Sequence, residues 1–122
     1  MEKIIVLIPA FNAEKTIDDI IIRIPSIVDK IIVVDDGSTD DTIRILSKYD
    51  HVKVIIHEIN RGYGEAQKTL MDAAIKEDAE YFVFVHADGG NRPEEIENIL
   101  GYADKPEIIH RNNLSYSLPN FF

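Results

Sequence analysis

What most constrains this chain is a recurring pattern of short apolar runs separated by amphipathic stretches. Ile4 to Ile8, Ile31 to Val34, Val52 to Ile56 and Tyr81 to Val85 are rich in β-branched or aromatic residues. None carries a regular polar alternation, which is the mark of parallel strands covered on both faces. Between them, Glu14 to Ile24 places Ile17, Ile20, Ile21 and Ile24 at helical spacing, and Asp40 to Lys48 does so with Ile43 and Leu46. A third helix is predicted over Gly64 to Glu77, burying Ala66, Leu70, Ala73 and Ala74. A fourth starts at Pro93, which suits a first helical turn, with Glu94 and Glu95 matching the helix dipole. The order predicts an α/β fold: an open, mostly parallel sheet with helices on both faces. The pattern weakens after Gly101, and Lys105 to His110 is the start of a further strand at most. We therefore expect an α/β domain over residues 1–104 and a truncated or atypical C-terminal segment over 105–122.

At 122 residues the chain can build one core without staples, and its 45% hydrophobic content is that of a globular protein. With 22 acidic against 13 basic side chains it carries a formal charge of -9, so nucleic acid is not an expected partner. It has no cysteine, which excludes disulfides, zinc–thiolate sites and thiol catalysis and is compatible with a cytoplasmic location. The apolar run at the N-terminus is broken by Pro9 and is too short for a secretory signal. No segment approaches the roughly 18 to 20 apolar residues of a membrane span.

Ligands of open α/β sheets bind at the carboxyl ends of the strands, and the polar residues gather there. Strand one ends in Pro9-Ala10-Phe11-Asn12 with Glu14 beyond, strand two in Asp35-Asp36, and strand four in His86-Ala87-Asp88-Gly89-Gly90. Strand three leads to Asn60-Arg61-Gly62-Tyr63-Gly64, where backbone N–H groups at a helix start can receive phosphate. Asp36 and Ser38 also suit an Asx or Ser turn, and Thr39 or Asp40 a helix cap. Asp35 is the stronger ligand candidate, because a carboxylate ending a buried strand needs a partner. Asp88, before two glycines, suits a hard cation bridging to a diphosphate, or a turn before a helix. His86 either touches a ligand or is satisfied within the protein. His51, His57 and His110 lack ligand-like spacing and read as surface or edge residues.

Four ordered blocks, "VLIPAFNAEKTI", "IIVVDDGSTDDT", "NRGYGEAQKTLMDAA" and "VFVHADGGNRPEEI", resemble family 2 glycosyltransferases of the GT-A fold, the group of the dolichyl-phosphate mannose synthases. The resemblance covers residues 3 to 100 and implies a site for a nucleotide-diphosphate sugar, a UDP- or GDP-sugar. It implies that Pro9, Ala10, Phe11, Asn12 and Glu14 border the base and ribose, and that Asp35, with Asp36 nearby, recognises the base edge. Arg61 and Gly62 join the nucleotide site by the same reading. The family's Asp-x-Asp motif falls on His86-Ala87-Asp88, with His86 in place of its first acid. Asp88 would hold Mg²⁺ or Mn²⁺ against the diphosphate. Arg111 is a candidate phosphate contact. The family's later half, which supplies acceptor contacts and a general base, has no counterpart here, so no catalytic residue is assigned.

The resemblance thus implies a metal-assisted glycosyltransferase, acting in the cytoplasm or at the cytoplasmic face of a membrane through its acceptor or a partner. The alternative is a non-catalytic nucleotide-sugar-binding or assembly module. A phospho-receiver would carry paired acids after the first strand, and a dinucleotide-binding oxidoreductase would carry Gly-x-Gly-x-x-Gly there; this chain has neither. A sheet lacking its later half would leave an edge and helix faces uncovered, so a second copy or a partner chain is expected.

Overall fold

A computed structural model describes residues 3–87 together with 109–110. The elements are β1 (Ile4–Ala10), α1 (Ile17–Arg23), β2 (Lys30–Asp36), α2 (Thr42–Leu46), β3 (Val52–His57), α3 (Tyr63–Lys76), β4 (Tyr81–Phe84) and β5 (Ile109–His110). They form one sheet in the order β3-β2-β1-β4-β5. β1 to β4 run parallel, and β5 pairs antiparallel to β4 through Tyr81 with His110 and Phe82 with Ile109. This is the open, mostly parallel sheet expected from the apolar runs. The helix expected at Pro93 and the segments around Asp88 and Arg111 lie outside the described residues.

The period-two alternation of strand side chains splits the core into two layers. Val6, Ile8, Ile31, Val33, Val83 and Val85 pack with Ile17, Ile20 and Ile21 of α1 and Leu46 of α2. Ile5, Leu7, Ile32, Val34, Phe82 and Phe84 pack on the other face with Ala66, Leu70, Ala73 and Ala74 of α3. Helices therefore cover both faces. Small residues on α3 let it lie close to the sheet, and Leu70 and Phe82, both fully buried, fill the space between.

Two details open the carboxyl edge. β1 lies at the centre, and chain order reverses between it and β4, which makes that gap the topological switch point. The Val85 amide donates to the Leu7 carbonyl at 2.9 Å. Two residues on, Pro9 points to the same side with no N–H to give. Pairing between β1 and β4 stops there, and the strands part.

Gly37 is the second detail. Its φ of +79° lies in the left-handed region. A Cβ there would sit 2.5 Å from the Asn60 amide nitrogen and 2.7 Å from the Ile59 carbonyl carbon. The turn after β2 thus packs directly on the backbone of the turn after β3. Gly37→Ala is expected to cost roughly 1–3 kcal/mol from backbone strain, with the clash added to it. Urea unfolding followed by circular dichroism measures the loss.

Candidate functional site

The adjacent acids of β2 do not share a site. Strand alternation sends them to opposite faces, Asp36 toward α3 and Asp35 toward α1 and α2. Asp36 is 4% exposed. Its Oδ1 accepts from the His57 ring nitrogen Nδ1 at 2.8 Å and the Arg61 amide at 2.9 Å, and its Oδ2 accepts from the Gly62 amide at 3.0 Å. Burial alone would raise its pKa; the Arg61 amide, the His57 ring and the Gly62 amide together outweigh it and hold Asp36 below the ordinary carboxylate value. Of the surface or edge position expected for His57, the edge holds, since it ends β3 at the end of the strand order, but the surface does not: it is 4% exposed. The parallel register sets it directly beside Asp36.

Asp35 is fully buried and turns its oxygens to its own loop. Oδ2 accepts from the Ser38 amide at 3.0 Å and Oδ1 from the Ser38 hydroxyl at 2.6 Å. The Ser38 oxygen in turn accepts from the Asn12 amide at 2.8 Å, and Asn12 Oδ1 accepts from the Thr39 amide at 2.8 Å. Further along, the Ala13 amide donates to the Thr42 hydroxyl oxygen at 2.8 Å. The Glu14 amide donates to Asp40 Oδ2 at 3.3 Å, and the Asp41 amide donates back to Glu14 Oε2 at 3.1 Å. Asp40 Oδ1 also accepts from the Thr42 amide at 3.0 Å, an Asx turn. Burial would raise the Asp40 pKa, but the Thr42 hydroxyl, the Thr42 amide and the Glu14 amide lower it on balance. The loops after β1 and β2 are thereby zipped side chain to backbone. This is why α1 and α2 begin later than helical spacing alone predicts.

Among the described residues, two cavities open at this edge. The larger, about 530 Å³, lies at the switch point and is lined by Pro9, Phe11, Asn12, Glu14, Lys15, Thr16, Asp40, Tyr63, His86 and Ala87, with Ala13. The smaller, about 210 Å³, is lined by Pro9, Ala10, Phe11, Asp36, Asn60, Gly62, Tyr63 and Ala66. Pro9, Phe11 and Tyr63 form the shared wall. Phe11 is 50% and Tyr63 49% exposed, so both rings present faces to an incoming ligand. Tyr63 stacks on His86 with ring centroids 5.4 Å apart. Gln67 Nε2 donates to the Tyr63 hydroxyl at 2.9 Å, which leaves the phenolic proton for His86 Nε2 at 3.0 Å. Burial raises the Tyr63 pKa, with Gln67 opposing, so the hydroxyl keeps its proton. The Thr16 hydroxyl donates to the Ala87 carbonyl and ties α1 to the segment after β4.

The structure gathers Pro9, Phe11, Asn12, Glu14, His86 and Ala87 on the larger cavity, and Ala10, Asp36 and Gly62 on the smaller. Asp35 and Arg61 line neither of the two; the first acts through Ser38 and the second through its amide on Asp36. Asp88 lies outside the described residues. Tyr63, Asn60, Lys15 and Thr16 were not singled out in the sequence, although Tyr63 stands in the Arg-Gly-Tyr-Gly turn that was. An aromatic between two glycines at a helix start is the signal that could have found it.

The family model described as Glycosyl transferase family 2 matches residues 5–113. The chain belongs to that family. Among curated relatives of this family 2 chain is a UDP-N-acetylglucosamine--dolichyl-phosphate N-acetylglucosaminyltransferase from Methanococcus voltae, 32% identical over 114 residues. The alignment covers 80% of this chain and 45% of the relative, so the chain spans about half the length of such relatives. The crystal structure of S. aureus TarS 1–349 superposes with a TM-score of 0.70 at 28% identity, covering 85% of this chain and 33% of that one. Glucosyl-3-phosphoglycerate synthase from Mycobacterium tuberculosis, in complex with Mn²⁺, UDP and glucosyl-3-phosphoglycerate, gives a TM-score of 0.63 at 30% identity, covering 82% and 39%.

Among the described residues, no helix is long and apolar enough to cross a membrane. Nor does any group of three His, Cys, Asp or Glu side chains gather there into a metal cage.

The depressed carboxylates set a pH signature. Each folded-state pKa lies below the unfolded value, so the stabilisation is complete above the ordinary carboxylate pKa and is lost as pH falls through the folded value. Thermal unfolding from pH 7 to pH 3 is expected to show stability falling below about pH 4. Asp36→Asn should lower stability at pH 7 and flatten part of that acid limb.

Proposed function

We propose that this chain is the donor-binding part of a glycosyltransferase that takes its sugar from a nucleotide diphosphate. The observation that carries this reading is the pair of cavities meeting at Pro9, Phe11 and Tyr63 on the switch-point edge. The smaller is of a size for a planar base, offers two aromatic faces, and has an acceptor-only carboxylate, Asp36, on its wall. An imide or amide N–H of uracil or guanine complements that carboxylate. Asp35, on the opposite face of β2, supports the site by holding Ser38 against Asn12. The larger cavity is roomy enough for a diphosphate and sugar, with Lys15 and Asn12 on its wall.

A divalent cation fits the chemistry of this edge. Mg²⁺ and Mn²⁺ bridging to phosphates need few protein carboxylates, which a three-ligand cage is not required to supply. Ala87 lines the larger cavity, and Asp88 follows it in the chain. Asp88 would hold the cation against the diphosphate, where it would supply Lewis acidity to the departing nucleotide. Glu14 and Asp40, the described carboxylates on that cavity, are both committed to the loop zipper, so neither is assigned as a catalytic base.

The second reading is a module that binds donor without transferring it, and turnover separates the two. β3 is a sheet edge on which Ile56 stands exposed, with Ile59 exposed just beyond it, which supports a second copy or partner chain against that edge.

Calorimetric titration with UDP- and GDP-sugars, with and without Mn²⁺, tests the proposal. Binding is expected for at least one donor, weakened about tenfold by Phe11→Ala through lost stacking on the base. Asp88→Ala should remove only the metal-dependent part. Absence of any nucleotide binding would overturn the donor reading. Binding with neither transfer nor hydrolysis would favour the module.

A further inference from the structure

His57 is a buried histidine with both ring nitrogens engaged, on a strand whose role in the site is otherwise only to end beside it. Nδ1 meets Asp36 Oδ1 at 2.8 Å and Nε2 meets the Thr69 hydroxyl of α3 at 2.9 Å. An ionised Asp36 only accepts, so Nδ1 carries a proton and donates to it, while Nε2 shares a hydrogen bond with the Thr69 hydroxyl. The ring is thereby a spacer held at both ends, between α3 and the Asp36 carboxylate.

A carboxylate offers about four acceptor positions. At Asp36, His57 and the Arg61 amide fill Oδ1, and the Gly62 amide takes one position on Oδ2. Among the described residues nothing takes the other position on Oδ2, and Asp36 stands on the wall of the smaller cavity. The three donors therefore hold the carboxylate so that one acceptor is left over. The two amides come from the turn on the rim of that same cavity. His57 ties the carboxylate to β3 on one side and, through Thr69, to α3 on the other. Hydrogen bonds to a buried charged group are the strong, directional kind.

We propose that His57 is a positioning residue for base recognition: it aims the last acceptor of Asp36 at the N–H of the base. The proposal rests on the reading of the smaller cavity as the base subsite. His57 touches no ligand itself; it acts through Asp36. A base with a lone pair where uracil has its imide N–H, as cytosine does, would face the Asp36 acceptor with like polarity and be rejected.

The test compares UDP, GDP, CDP and Mn²⁺-pyrophosphate as ligands of the whole chain by calorimetry, for the wild type, His57→Leu, His57→Asn and Thr69→Val. His57→Leu is expected to weaken UDP about tenfold or more, the scale of one charge-assisted hydrogen bond, and to narrow the preference for UDP over CDP. Pyrophosphate binding, which does not involve the base, should be unchanged. His57→Asn keeps a donor near the Nδ1 position and should restore most of the UDP affinity. Thr69→Val should cause a smaller loss with the same pattern, and it carries the test if His57→Leu does not fold. A folded His57→Leu or Thr69→Val that binds UDP as the wild type does would overturn the proposal. Equal losses for UDP and pyrophosphate would also overturn it, because a merely structural role loosens both. A wild type that binds pyrophosphate but prefers neither UDP nor GDP over CDP would instead overturn the base-subsite reading beneath it.

Discussion

The carboxyl edge of this sheet depends on a carboxylate that is almost out of water. An ionised group in the position of Asp36 would be costly without partners. It has three donors from two other parts of the chain, and each is drawn into place by the charge it satisfies. The end of β3, the turn that starts α3 and, through Thr69, the body of α3 are all referred to this one side chain. A buried acid thus does for the site what apolar packing does for the sheet below it: it leaves one arrangement much better than the others.

Asp35 does a different job a residue away because a strand alternates its faces. It braces Ser38, which braces Asn12, and from there the loops after β1 and β2 are laced together as far as Thr42. Gly37 lets the turn after the two acids lie on the backbone at Asn60. Pro9 ends the pairing of β1 with β4 and parts the strands where the larger cavity lies. These are separate devices with one outcome: rigid loops around a crevice at the switch point of a family 2 fold.

The strands and the first three helices were legible in the sequence because both come from local periodicity, and the apolar runs are strong. The helix starts were less so. Residues 14–16 and 40–41 look helical by spacing, but Glu14, Asp40 and the Asp41 amide are committed across the two loops and the Thr16 hydroxyl to Ala87, and that competition is tertiary. The convergence of strand ends on one edge was also legible, since a parallel sheet makes it unavoidable. The division of labour between the acids was harder. Asp35 is legible as a charge ending a buried strand, but its bonds to the Ser38 amide and hydroxyl exist only in the folded turn. His57 was passed over because nothing near it in sequence explains it; its partners lie 21 and 12 residues away.

By itself, then, the sequence determined the α/β architecture, the edge where ligands meet it and the family to which the chain belongs. Those follow from periodicity and from ordered motifs, which are local properties of the chain. Tertiary structure alone decided that Asp36 stands on the wall of the smaller cavity, that Tyr63 and Phe11 share the wall between two chambers, and that a histidine from an edge strand is buried against the site. Those depend on strand register and on the packing of α3 across the sheet, where residues far apart in sequence become neighbours.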